Sequence, residues 1–275
     1  MPELPETETI ARDLDAAIAR STIVEVRVTR SDVLREVNAA DLRRRVRGTS
    51  IERVWRRAKL VVIDLSSRDR IVVQPRFTGA MLIDGGGLPD AERRYSTVEL
   101  VLNGGRSVHY RDIRRLGTVS LMDETRFSRY AGALGLEPLD DDFTLDRLSA
   151  ILGASRQPLK RVLMDQRRLV GVGNIYANEV LWHSCLDPSR PAARLTAEEC
   201  ARLHTAIGGV LRAAVAARGT SFRDYRDASG ERGSFAAQLE AYGREGQACR
   251  RCGRALVGTH AIDGRSTVFC YRCQR

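Results

Sequence analysis

The C-terminal segment reads Cys249-Arg-Arg-Cys252, continues through seventeen residues and reaches Cys270-Tyr-Arg-Cys273. Two tight cysteine pairs joined by an insert of hairpin length are typical of a tetrahedral four-cysteine zinc site. Two disulfides are the alternative, and the expected cytosolic setting of the chain argues against them. The spacing therefore predicts one structural zinc ion with Cys249, Cys252, Cys270 and Cys273 as its ligands.

The whole chain is basic, like the segment around these cysteines. Lysine and arginine together number 45 against 35 acidic residues, which gives a formal net charge of +10. Such an excess attracts polyanions, of which DNA and RNA are the usual ones, although a merely solvated basic surface is the alternative. Only Lys59 and Lys160 are lysines. Because arginine cannot release a proton near neutral pH, these two amines are candidate functional groups.

The length of 275 residues fits two or three domains, and 43% hydrophobic residues are enough for a core. No run of about 18 apolar residues is present, so we expect no membrane span. The N-terminus lacks the basic stretch and apolar core of a signal peptide, and we expect a cytoplasmic protein.

Short runs of β-strand composition dominate the first 130 residues or so. One helix is predicted first, at about 6–20, where Ile10, Leu14 and Ile18 recur at helical spacing. Eight β-rich runs follow, at 23–29, 51–55, 60–65, 71–74, 80–83, 98–102, 107–110 and 118–122. Many short strands at close spacing indicate a sandwich or a barrel.

From about Leu139 the pattern becomes helical. The predicted helices are 146–152, 159–165, 175–183 and 196–218, the last with a capping box at Thr196-Ala-Glu-Glu199. We therefore predict an α+β multidomain protein with three parts. They are a β domain with a leading helix over 1–132, a helical domain over 133–233 and a zinc hairpin over 234–275.

Five motifs, in the same order along the chain, resemble those of the formamidopyrimidine-DNA glycosylase and endonuclease VIII family. They are Met1-Pro-Glu-Leu-Pro-Glu-Thr-Glu-Thr9, Arg57-Ala-Lys59, Gly171-Val-Gly-Asn-Ile-Tyr-Ala-Asn-Glu179, Tyr242-Gly-Arg244 and Gly264-Arg-Ser-Thr267. The resemblance implies a DNA glycosylase/AP lyase of base-excision repair with a β-sandwich, a helix–two-turn–helix and a zinc hairpin. Its partner would be damaged double-stranded DNA. We expect a monomer of the bacterial type, associated with the nucleoid.

The resemblance implies that Pro2 is the catalytic nucleophile once Met1 has been removed. An α-amine titrates at roughly pH 8 and is partly neutral in the cell, so it can attack C1′ of the nucleotide. Glu3 would move protons at the sugar or the amine, and Lys59 would assist base loss and elimination. Taken alone, Pro2 and Glu3 would indicate only a helix start, where proline is common.

Further residues acquire expected roles from the same resemblance. Arg265, between the cysteine pairs, would contact phosphates around the everted nucleotide and support δ-elimination. Glu6 and Glu179 would be supporting carboxylates near the catalytic proline. Asn174, at a glycine-rich helix start, and Lys160 would bind the DNA.

Two motifs depart from the family pattern. The formamidopyrimidine branch has the motif His-Leu-Gly-Met-Ser-Gly, and this chain has Phe77 at the methionine position. The family has the motif Asp-Pro-Arg-Arg-Phe-Gly, and this chain has Leu116 at the phenylalanine position. Phe77 and Leu116 are therefore expected to form the apolar wedge that fills the gap left by the everted base. Arg114 and Arg115 are retained, to face the orphaned base and a nearby phosphate.

The polar stretch 223–233 resembles the lesion-capping loop of the formamidopyrimidine branch, which favours oxidised purines such as formamidopyrimidine or 8-oxoguanine as substrates. Two alternatives remain open. One is an endonuclease VIII-like preference for oxidised pyrimidines. The other is a catalytically silent protein that binds damaged DNA, against which the presence of Pro2, Glu3 and Lys59 argues.

Overall fold

The computed structural model describes residues 2–275, so the expected removal of Met1 concerns a residue outside the described part. The chain forms two compact units. The first runs to Gly132 and includes Ala217–Ala236, and the second comprises Ala133–Ala216 and Ala237–Arg275.

The first unit is a two-sheet β-sandwich with a leading helix. Its helices are α1 (Leu4–Ile18), α2 (Ala39–Val46), α3 (Asp90–Arg93) and α4 (Glu124–Gly132). Its strands are β1 (Ile23–Val28), β2 (Leu34–Arg35), β3 (Ile51–Arg57), β4 (Leu60–Leu65), β5 (Arg70–Gln74), β6 (Gly79–Asp84), β7 (Ser96–Leu102), β8 (Ser107–Asp112) and β9 (Thr118–Met122). The sheet orders are β1-β7-β8-β6 and β2-β9-β5-β4-β3, and all pairs are antiparallel except β2 with β9.

The eight predicted strands are all present, because each supplies apolar side chains to one shared core. Ile63 and Val73 from one sheet and Val98 from the other belong to the same buried cluster. Ile10 and Leu14 of α1 complete it, as the helical spacing predicts. Full burial of each such side chain contributes about 1.5–3 kcal/mol. The small elements β2, α2, α3 and α4 were not predicted, since they are short or rich in charge.

The second unit contains the predicted helices and the hairpin. Its elements are α5 (Leu145–Gly153), α6 (Leu159–Met164), α7 (Asn174–Ser184), α8 (Ala197–Ala216), β10 (Val257–Thr259) and β11 (Thr267–Phe269). The predicted capping box precedes α8: Thr196 N–H donates to Glu199 Oε2 at 2.8 Å, and Glu199 N–H to Thr196 Oγ1 at 3.3 Å. Among the described residues, none of the helices has the length and apolar character needed to cross a membrane.

The structure places residues 217–236 in a different unit from the one that we predicted. Residues 217–236 fold with the β-sandwich, whereas we predicted them as parts of the helical domain and the hairpin. The physical reason is a set of long-range contacts with α1. Thr220 N–H donates to Glu6 Oε1 at 2.7 Å, and Arg218 pairs with Asp13 at 2.5 Å. Local polarity could not reveal partners more than two hundred residues away.

Candidate functional site

The residue predicted as nucleophile lies immediately before α1. Pro2 and Glu3 are buried, and only 2% of the Glu3 surface is exposed. Glu3 N–H donates to Glu6 Oε2 at 2.8 Å, so the Glu6 carboxylate fixes the backbone next to Pro2. The partial positive charge at a helix N-terminus also favours carboxylates at these positions.

Lys59 lies in the two-residue turn between β3 and β4 and is 9% exposed. The preceding residue, Ala58, has a left-handed backbone with φ of 54°. Thr7 of α1 connects this turn to the helix start, since its hydroxyl lies 2.8 Å from the Glu3 carbonyl and 3.5 Å from the Ala58 carbonyl. The fold therefore brings the start of α1 to the lysine-bearing turn, although the two are about fifty residues apart in sequence. Sequence reasoning missed Thr7, even though it lies inside the N-terminal motif.

Glu6 also anchors the base of the 217–236 segment. Its Oε1 accepts the Thr220 N–H at 2.7 Å, and a Cβ added to Gly219, whose φ is 83°, would lie 2.8 Å from the same oxygen. An antiparallel bridge between Thr220 and Ser234 closes the segment into a loop.

The loop between those residues is held by a buried carboxylate. Asp227 is fully buried and accepts the Ser229 and Glu231 N–H groups at 3.0 and 2.9 Å. It also accepts a hydrogen bond from Arg218 Nε at 2.9 Å. Phe222, by contrast, is 49% exposed. The loop thus combines a rigid base with an exposed aromatic ring.

The expected wedge residues lie on two loops at one end of the sandwich. Phe77 and Leu116 are 47% and 39% exposed, which is unusual for large apolar side chains. The Arg114 guanidinium stacks over the Phe77 ring, 5.2 Å from its centroid. Arg115 forms an ion pair with Asp32 at 2.6 Å. All four side chains reach the surface, as DNA contact requires.

Lys160, in the second unit, is the one predicted DNA-contacting residue that the structure places away from the surface. Its side chain is completely buried on α6. Its Nζ donates to Thr267 Oγ1 at 2.7 Å and to the Ser266 carbonyl at 3.2 Å, and it pairs with Asp263 Oδ1 at 3.3 Å. The prediction of direct DNA contact is corrected accordingly: this amine holds the turn between β10 and β11.

Arg265 lies in the turn that Lys160 holds and is itself exposed. Its backbone N–H donates to Asp263 Oδ1 at 3.1 Å, so the turn is ordered while the guanidinium remains accessible. Sequence reasoning missed Asp263. The sequence could have pointed to it, because Glu245 and Asp263 are the two acidic residues among residues 244–275, which are otherwise strongly basic.

Asn174 is the first residue of α7, after a glycine turn in which Gly171 has φ of 80°. Its Nδ2 donates to the Ser266 carbonyl at 3.0 Å, so it supports the same hairpin turn as Lys160. Its Oδ1 is buried and has no hydrogen-bond partner among the described residues.

Glu179 is fully buried on α7. Its two oxygens accept the backbone N–H groups of Glu240, Ala241 and Tyr242 at 2.7, 3.0 and 2.8 Å. Burial raises the pKa of Glu179 above its ordinary value, and the three N–H donors act in the opposite direction. Within the second unit this carboxyl holds the chain at the start of the Tyr242-Gly-Arg244 motif.

The four predicted zinc ligands lie together at the end of the second unit. The sulfur atoms of Cys249, Cys252, Cys270 and Cys273 are all within 4.8 Å of one another. A tetrahedron with Zn–S distances of 2.3 Å has sulfur–sulfur edges of about 3.8 Å, so the cluster fits a zinc ion after small adjustments. Burial alone would raise the pKa of Cys249, but N–H groups of Arg251 and Cys252 lower it to about 7. Burial and the neighbouring thiols raise the pKa values of Cys270 and Cys273, so these two thiols would lose their protons only on binding a metal ion.

Comparison with known proteins agrees with this arrangement. Residues 1–119 match the family model of the formamidopyrimidine-DNA glycosylase N-terminal domain, and residues 134–226 match that of the formamidopyrimidine-DNA glycosylase H2TH domain. The chain is 40% identical to a formamidopyrimidine-DNA glycosylase of Carboxydothermus hydrogenoformans, with both sequences covered completely. It is 42% identical to that of Moorella thermoacetica, with 93% of each covered.

Solved structures give the same result for the fold. The MutM (Fpg) protein of Thermus thermophilus superposes with a TM-score of 0.87 at 35% identity, covering 99% of this chain and 98% of that one. Wild-type Lactococcus lactis Fpg, in complex with DNA that contains N7-benzyl-Fapy-dG, superposes with a TM-score of 0.90 at 27% identity, with both chains fully covered.

Proposed function

Because this chain belongs to the formamidopyrimidine-DNA glycosylase family and is thus a DNA glycosylase acting on damaged DNA, we propose that it excises oxidised bases through Pro2 and then cleaves the strand. The Pro2 nitrogen attacks C1′, and the glycosidic bond breaks with its electron pair leaving on the base. Opening of the C1′–O4′ bond, with a proton added to O4′, gives the iminium. Loss of a C2′ proton expels the 3′ phosphate, and loss of the C4′ proton then expels the 5′ phosphate from C5′ (δ-elimination). Water finally hydrolyses the iminium at C1′ and frees the Pro2 amine.

The observation that carries this proposal is the link between the start of α1 and the lysine-bearing turn. Thr7 contacts both the Glu3 and the Ala58 carbonyls, so the turn that bears Lys59 is held against the start of α1, which Glu3 and Pro2 precede. Glu3 is the proposed donor of the proton to O4′, and Lys59 is the proposed group for the elimination steps. In the second unit, exposed Arg265 would neutralise phosphate charge.

Borohydride reduction in the presence of abasic duplex DNA is the direct test. An amine catalyst leaves a reduced covalent adduct at C1′, and peptide mapping should place it at Pro2. A catalytically silent binding protein would shift the same DNA in a gel and leave no adduct.

We propose oxidised purines as the main substrate class. The support is the closed loop 220–234, whose buried Asp227 and bridged ends make a firm base for covering an everted base with Phe222. Excision rates on duplexes with defined oxidised purines and pyrimidines test the preference. Faster excision of pyrimidines would favour the endonuclease VIII-like alternative.

We also propose one structural zinc ion at the four cysteines. Four thiolates complete a tetrahedron and leave no open position for substrate, so the metal would supply stability and not reactivity. Cys249, Cys252, Cys270 and Cys273 would be the ligands.

Replacing Lys59 by arginine should damage catalysis although the positive charge is retained. Guanidinium does not exchange a proton near neutral pH, and positioned acid–base groups contribute about 10²-fold or more, so we expect a loss of that order. Single-turnover excision and abasic-site nicking measure it, with Arg12→Lys on the exposed face of α1 as the matched control. A Lys59→Arg enzyme with the wild-type rate would remove Lys59 from the mechanism.

DNA affinity should fall steeply with salt, because phosphate contacts release counterions. Arg265→Ala should weaken binding and reduce the slope of log affinity against log salt by about one.

Lys160→Met should also weaken binding, because the turn that carries Arg265 loses its buried support. In the Arg265→Ala background, however, Lys160→Met should add little. Fluorescence anisotropy at several salt concentrations tests both variants, and fully additive losses would restore a direct DNA contact for Lys160.

A further inference from the structure

The two loops that carry the expected wedge meet through a buried hydrogen-bond network. One loop follows β5 and bears Phe77, and the other connects β8 with β9 and bears Arg114 and Leu116. Thr78, which is 5% exposed, and Asp112, which is 1% exposed, lie at the bases of the two loops.

Thr78 is the link between the loops. Its hydroxyl donates to Asp112 Oδ1 at 2.6 Å and accepts the Arg114 N–H at 3.0 Å. Asp112 then spans its own loop, because its Oδ2 accepts the Gly117 N–H at 2.8 Å and the Tyr110 hydroxyl at 3.2 Å. Burial raises the pKa of Tyr110, so this hydroxyl remains a donor at working pH.

The backbones of the two loops also approach each other closely. A Cβ at Gly117 would overlap the Tyr110 hydroxyl and lie 2.6 Å from the carbonyl of Gln74, the last residue of β5, after which the other loop begins. Phe77 and Arg115 both have left-handed backbones, with φ of 44° and 52°. Such conformations are costly for these residue types and persist where the surrounding contacts enforce them.

We propose that Thr78 and Asp112 are positioning residues that lock the two loops into one preassembled wedge, so that Phe77 and its stacked Arg114 enter the duplex together. The inference rests on the proposed function and adds to it the device that orients the wedge. Without the Thr78 hydroxyl, a buried carboxylate oxygen and the Arg114 N–H lose their partner. The loops then separate, and the Arg114 guanidinium loses its place over the Phe77 ring.

The test compares Thr78→Val, which keeps the shape and removes the hydroxyl, with Thr78→Ser, which keeps the hydroxyl. The cost of an unpaired buried group predicts a loss of about tenfold or more for Thr78→Val in single-turnover excision from duplex DNA. Thr78→Ser should remain close to wild type. Borohydride trapping on a single-stranded abasic site, where no base pair has to be opened, should be the same for all three proteins within about twofold.

A second measurement detects insertion of the wedge into the duplex independently of base excision. A 2-aminopurine beside a tetrahydrofuran site in duplex DNA should brighten when the protein unstacks it, and this rise should be reduced for Thr78→Val and restored for Thr78→Ser. A full rise with Thr78→Val, or a failure of serine to restore it, overturns the inference. Absence of trapping by the wild-type protein would instead overturn the proposed function, and the fluorescence comparison would still decide the role of Thr78.

Discussion

Blocking the Pro2 amine should abolish base excision and strand cleavage together, while binding to damaged DNA is retained. With any residue attached before it, the Pro2 nitrogen is a tertiary amide whose lone pair is delocalised into the carbonyl. It then has no proton to lose and cannot form an iminium at C1′.

The experiment uses two preparations whose N-termini are established by mass spectrometry. One begins at Pro2, and the other carries an uncleaved extension. We expect trapping and nicking only with the first, and a comparable gel shift of tetrahydrofuran-containing DNA with both. Pro2→Gly with a free N-terminus should retain part of the activity, since a primary amine can also form an imine.

Full nicking by a preparation that carries the extension on every molecule would contradict the mechanism. The Lys59 amine, in the turn that Thr7 connects to α1, would then be the first alternative nucleophile. Peptide mapping of the reduced adduct would identify it.

Removing the zinc site should have the second large effect, a loss of DNA affinity of about 10²-fold or more. Structural zinc in small domains contributes on the order of 10 kcal/mol of folding free energy, so Cys270→Ser should unfold the hairpin. The turn that holds Arg265 is part of that hairpin and would be lost with it. The β-sandwich has its own core and should remain folded.

Metal analysis, fluorescence anisotropy and thermal unfolding measure these effects in the same preparations. Cys185→Ser is the matched control, because its sulfur lies outside the cluster and accepts a hydrogen bond from Arg251, as a serine can. Chelation of the wild-type protein should reproduce the Cys270→Ser result. Fully active protein without zinc would exclude a structural role for the metal.

Much of the architecture could be predicted because its signals are local. The eight strands follow from runs of β-branched residues between turns, and α1 follows from Ile10, Leu14 and Ile18 at helical spacing. The cysteine cluster follows from two short pairs, since each pair already places two sulfur atoms within reach of one metal ion. The capping box of α8 needs only four consecutive residues.

The strand and helix composition, the cysteine cluster and the motifs of the family can all be read from short stretches of sequence, because each depends on residues close together in the chain. The burial of Lys160 against Asp263 and the association of the 217–236 segment with α1 become visible in the folded chain alone. So does the hydrogen bond that joins Thr78 to Asp112. A buried polar group is stable only with its partner, and that partner can lie anywhere in the sequence. Composition and periodicity therefore do not identify the partner of a buried polar group.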